Sequence, residues 1–166
     1  MKYSKEEMER YRELYNRGVS IFKENRAKSV SQISNYSHAI NTFIRNEKEL
    51  KVYIGLHLTE TFITRPALII RIDPHYCDSL GVSNLTKMLS GKAPIDVTTG
   101  ETIDLHHVGQ RYDSPFAELP HTIHNSAGNY SILHTSTVSW RNDKDLLHKT
   151  NVEISKYWKL RGAMYL

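Results

Sequence analysis

The chain has 166 residues, 39% of them hydrophobic, and a single cysteine, Cys77. It can build a core, but it can form neither an internal disulfide nor a cysteine-rich zinc site. Lys and Arg outnumber Asp and Glu by 22 to 18, a formal charge of +4, which permits an anionic partner without demanding one.

No apolar run reaches the ~18–20 residues of a membrane span. The charged opening MKYSKEEMERYRELY lacks the apolar region of a secretory signal. Synthesis in the cytoplasm is therefore expected, with any export using some other address. The charge is unevenly spread. Residues 1–50 carry ten Lys/Arg against seven Asp/Glu, whereas residues 101–166 carry seven of each and six of the nine histidines. A neutral, histidine-dense C-terminal half suits site chemistry better than blanket binding to a nucleic-acid backbone.

Met8, Tyr11, Tyr15, Val19 and Phe22 recur at spacings of three and four and predict a helix over 5–25. Val30, Ile33, Tyr36, Ile40 and Phe43 predict a second over 29–46. Such stripes ordinarily pack into a core; an amphipathic docking or delivery segment is the alternative. KVYIGLHL (51–58) alternates like a half-buried strand, and ALIIRI (67–72) is a β-branched run after Pro66. Asp73-Pro74 marks a turn. Residues 84–91, NLTKMLSG, read as a short helix capped near Ser83 or Asn84 and stopped by Gly91. A turn at Thr98-Thr99-Gly100 leads into the strand TIDLHH (102–107), and Asp113-Ser-Pro115 turns the chain into FAEL (116–119). A polar loop with two more histidines and then YSILH (130–134) follow, before a last helix over 143–161 carrying Leu146, Leu147, Ile154, Tyr157 and Trp158. The class is α+β.

Alternation along a strand sends His106 and His107 to opposite sides, so one ring can serve a metal while its neighbour faces a substrate. Asp104 lies two residues before His106 and on its side, where it can ligate the metal or orient the imidazole. Imidazoles with water suit zinc, nickel, manganese or magnesium. Residue types alone leave open a metal-assisted hydrolase or ordinary core and surface histidines. HExxH, CxxC, GxSxG and GxxxxGK[ST] are all absent, which excludes several common enzyme classes.

NLTKMLSGKAPI (84–95), TTGETI, LHHVGQ (105–110), DSPFAEL (113–119), HNSAGN (124–129), ILH (132–134), SWRN (139–142) and KYWKLR (156–161) keep their order over about 100 residues. So do RPALIIRID (65–73) and DSLG (78–81) ahead of them. Together they resemble the LHH family of the HNH/endonuclease VII nucleases, modules of bacterial polymorphic toxins. The resemblance implies N-terminal helices (1–50) followed by a nuclease domain (51–166) with a ββα-metal core and a C-terminal helix.

It further implies one divalent ion (Mg, Mn, Zn or Ni) held by His106 and His134, with His124 a third ligand or a phosphate contact. His107 would be the general base, and Asn129 would orient that base or a loop carbonyl. Gln110 and Glu118 would hold ring orientation, and Arg111 and Arg141 would meet phosphate. His38, His57, His75, His121 and His148 fall outside the pattern and are expected to be exposed or locally hydrogen-bonded. The implied activity is phosphodiester hydrolysis of DNA by a toxic effector, with a cognate immunity protein, a secretion-system carrier or chaperone, and action in the target-cell cytoplasm. The alternatives are an RNase or tRNA-directed toxin on the same scaffold, and a non-catalytic metal-stabilised binding module.

Overall fold

The computed structural model describes Val30 and residues 33–134 and 140–166. The helix expected over 5–25 lies outside them. The one expected over 29–46 is interrupted: Val30 is helical, but the next helix is the single turn α1 (His38–Asn41). Side chains, two of them local and the third that of Glu60, take the backbone bonds that a helix would need. Ser34 Oγ accepts the Tyr36 N–H at 3.0 Å, Asn41 Nδ2 donates to the Tyr36 carbonyl, and the Ser37 N–H goes to Glu60. Such bonds compete directly with helical ones.

KVYIGLHL is a helix for most of its length, not a strand. Helix α2 spans Glu47–Gly55, opened by Asn46, whose side chain accepts the Lys48 and Glu49 N–H groups. Its buried residues, Glu49, Leu50 and Tyr53, follow the helical period, while Ile54 stands exposed. The cap outweighs a short run of apparent alternation. Strands β1 (Thr59–Phe62) and β2 (Pro66–Ile69) follow as an antiparallel pair. Helix α3 (Asn84–Leu89) starts where expected, with the Ser83 hydroxyl accepting the Thr86 N–H.

Strands β3 (Ile103–His107) and β4 (Phe116–Pro120) form the antiparallel hairpin. The region expected as a polar loop is instead two short helices, α4 (His121–Asn125) and α5 (Ala127–Leu133), separated by extended Ser126. Helix α6 (Lys144–Ala163) closes the fold, capped by Asp143. None of the helices among the described residues is long and apolar enough to cross a membrane.

The four strands order β1-β2-β4-β3, with β2 and β4 parallel. Alternate residues feed two cores. On one face, Leu68, Ala117 and Leu119 pack with Val30, Ile40, Ile44, Leu50, Tyr53 and Leu133. On the other, Ala67, Ile103, Leu105 and Phe116 pack with Met88, Tyr157 and Trp158. The domain boundary expected at residue 50 falls inside α2, whose Leu50 and Tyr53 share the first core with β2 and β4. The result is α+β, with a C-terminal helix behind a small mixed sheet.

Candidate metal centre

The hairpin register sets His106 opposite Ala117 and His107 opposite Phe116, so the two rings leave β3 on opposite faces. Each is only 4% exposed. His106 turns toward α4 and α5, where His124 Nε2 stands 3.1 Å from His106 Nδ1 and 3.1 Å from His134 Nε2. The ligand atoms of these three residues all lie within 4.8 Å of one another, a set that could hold a metal ion. Helix α4 supplies His124, and His134 is the residue at which α5 ends.

Proton accounting tests the fit. Asp104 Oδ2 is 2.8 Å from His124 Nδ1 and 2.9 Å from His121 Nδ1. The carboxylate can accept a hydrogen bond from the His124 Nδ1–H, the tautomer that leaves Nε2 with a lone pair. That lone pair faces two further ring nitrogens. Burial, then the neighbouring rings' charges, holds His106 well below the usual histidine range and lowers His134 as well. Both rings therefore keep lone pairs at neutral pH. Three ring nitrogens that converge in this way can each turn a lone pair to a divalent cation placed among them. The residues fit the ion.

Asp104 itself would be raised by burial, but the bonds and charges of His124 and His121 hold it below the ordinary carboxyl range. It thus stays ionised as the group that fixes the His124 ring. His121, half exposed, shares that carboxylate.

His107 occupies a different setting. Its ring meets Phe116 edge-on with centroids 4.8 Å apart and lies 4.8 Å from Trp140. Burial first, then the charges of Arg65 and Arg141, push it down to about 3, so it is neutral at pH 7. Both of its nitrogens are buried and find no hydrogen-bond partner among the described residues. A buried polar atom without a partner needs an explanation, and an absent reactant is one.

The remaining expected residues divide. Asn129 Nδ2 donates to the Ile123 carbonyl at 3.0 Å, steadying the helix that carries His124. Gln110 accepts from Arg45 Nη1 at 3.3 Å. Arg111 forks onto Asp113 at 2.9 and 2.7 Å. Arg141 stacks on Trp140, its guanidinium carbon 5.3 Å from the ring centroid.

Glu118 does not orient a histidine ring. It sits on the opposite face from the triad and bonds Tyr157 Oη, Arg161 Nε and the Ile70 N–H. Sequence reading missed Arg45, Glu49 and Arg65. The i,i+4 spacing of Arg45 and Glu49 suggests only an exposed helical pair, and nothing in it signals burial.

A buried pair of histidines thus stands at the end of a hairpin strand, with two more brought in by the helices that follow. The LHH family, a nuclease of the HNH/ENDO VII superfamily with conserved LHH, matches residues 83–163. That match covers just under half of the chain, and Leu105-His106-His107 stands at the family's LHH. No solved structure matches the chain.

Proposed function

We propose that the chain is a metal-dependent endonuclease that hydrolyses phosphodiester bonds of DNA. The observation that carries this reading is the convergence of three imidazole nitrogens, together with a fourth histidine whose nitrogens find no hydrogen-bond partner among the described residues. His106, His124 and His134 would hold one divalent ion, which when bound supplies Lewis-acid polarisation of a phosphate. The site leaves the identity of the ion among Mg, Mn, Zn and Ni open.

His107 accepts the proton of the attacking water. A positioned base contributes ~10²–10⁴-fold. Its ring is neutral, so its lone pair is available, although burial first, and then the positive field of Arg65 and Arg141, weaken it as a base. That same field attracts phosphate, and an anion drawn in offsets the arginines' share of the shift. Asp104 holds the His124 ring in the tautomer that points Nε2 at the ion, and Asn129 holds the α4 backbone.

A role as the toxic effector of a bacterial competition system rests on the likeness to polymorphic-toxin modules. With it come a cognate immunity protein, a secretion-system carrier or chaperone, and action in the target-cell cytoplasm. Purified protein loaded with Mg²⁺, Mn²⁺, Zn²⁺ or Ni²⁺ and incubated with plasmid, total RNA and tRNA tests the reading. Plasmid nicking that EDTA stops is expected. Cleavage of RNA alone would replace the DNA assignment, and cleavage that persists in EDTA would remove the metal from the mechanism.

A further inference from the structure

Two segments of the centre need to be held in place: the turn after His107 and the chain that leads into His134. Helix α5 ends at Leu133, so its last carbonyls have no partner within the helix. Arg45 Nη2 supplies it, donating to the Ile132 carbonyl at 2.7 Å and the Leu133 carbonyl at 2.8 Å. These are the two peptide units immediately before His134, and a cation at a helix C-terminus is also favoured by the helix dipole.

Arg45 is itself fixed by Glu49, whose Oε2 accepts the Arg45 Nε–H at 3.1 Å and its backbone N–H at 2.8 Å. The other oxygen of Glu49 accepts the Gly109 N–H at 2.9 Å and the Tyr53 hydroxyl at 2.8 Å. Gly109 stands two residues after His107. It has φ +68, and any Cβ there would lie 2.3 Å from the Phe43 carbonyl oxygen. The turn is therefore pressed against the backbone that leads into Arg45. The Glu49 side chain is fully buried and that of Arg45 is 15% exposed.

Resting on the nuclease reading above, we infer that Arg45 and Glu49 act as one positioning device for the metal centre. The pair clamps the exit of α5 to the turn after β3, so that His134 and His106 meet at the spacing a shared ion requires. Both residues lie upstream of the segment that matches the family, 83–163. The device thus belongs to the part of this chain that the match leaves out. Because Glu49 neutralises Arg45, it adds order near the cation site without adding net positive charge.

Calorimetric titration with Zn²⁺ and Mn²⁺, alongside plasmid nicking, tests the inference. Loss of an outer support for metal ligands ordinarily weakens the metal ~10–100-fold, and that loss is expected for Arg45→Met and for Glu49→Gln. In the nicking assay kcat should fall while KM holds. Arg45→Lys, which keeps a charged donor, should recover part of the affinity. Ile72→Val, a core trim on the far face of the sheet, should keep parental affinity.

Should Arg45→Met fail to fold, the size-conserving Glu49→Gln and Arg45→Lys proteins carry the comparison. Folded variants with parental affinity would overturn the inference, as would an equal loss in Ile72→Val. A parent that binds metal but cleaves nothing fells the nuclease reading and leaves the affinity comparison to decide this one. A parent that binds no metal overturns both.

Discussion

The sheet buries two polar clusters, one behind β4 and one around β3, and it treats them in opposite ways. Behind β4, both oxygens of the Glu118 carboxylate are satisfied by Tyr157, Arg161 and the Ile70 N–H, and Arg161 also donates to the Ile70 carbonyl. Burial raises the Glu118 carboxyl and Arg161 draws it only part of the way back, so the cluster pairs its charge inside the protein. Around β3, by contrast, His106, His107 and His134 all carry buried nitrogens without hydrogen-bond partners among the described residues. One cluster is closed and the other is open. Closed polar networks hold a fold together, whereas open ones mark the place where something from outside completes the chemistry.

Breaking each side in turn should separate activity from stability. The largest effect is expected from His107→Ala, which should cut plasmid nicking by ~10²–10⁴-fold while calorimetry returns a parental metal affinity; a parental nicking rate would remove His107 from the chemistry. On the closed side, Arg161→Met strands the Glu118 charge. It should cost about 3–5 kcal/mol in urea unfolding, with the gap to the parent unchanged by saturating metal.

Asp104→Asn keeps the shape of the His124 support but removes its charge. Metal affinity should drop ~10–100-fold with a nearly parental unfolding midpoint, and an unchanged isotherm would dissolve the assigned role. The smallest change is Ser83→Ala, which deletes the cap of α3 on the closed side. It should lower stability by ~1 kcal/mol and leave metal binding alone.

How much of this the sequence disclosed depended on whether the deciding signal was local. Ser83 and Asp143 announce their helices through their own side chains, and TIDLHH and FAEL carry strand periodicity into β3 and β4. The opposite facing of His106 and His107 follows from the pleat. Legibility failed where a local pattern was ambiguous or where the partner was remote. KVYIGLHL alternates, yet Asn46 had already committed the chain to a helix. TETF is polar because β1 is the outer strand and mostly exposed, so no apolar run marks it.

HTIHN and AGNYSIL are too polar and too short to show a stripe, and each leans on neighbours for its stability. For Glu118 the resemblance implies a group that holds ring orientation. Its face of the sheet, and Arg161 43 residues on, decided otherwise. Arg45 meets the centre through carbonyls 87 and 88 residues away. No spacing rule reaches that far.

The pairing of Glu118 with Arg161 also sets a timetable for biosynthesis. A ribosome releases β4 well before it releases Arg161, so a nascent chain that stops short of that arginine has an uncompensated ion where its sheet should close. The imidazole cluster is already encoded by then, but its scaffold is not yet sealed. The charge balance behind the sheet is therefore complete only once α6 has docked.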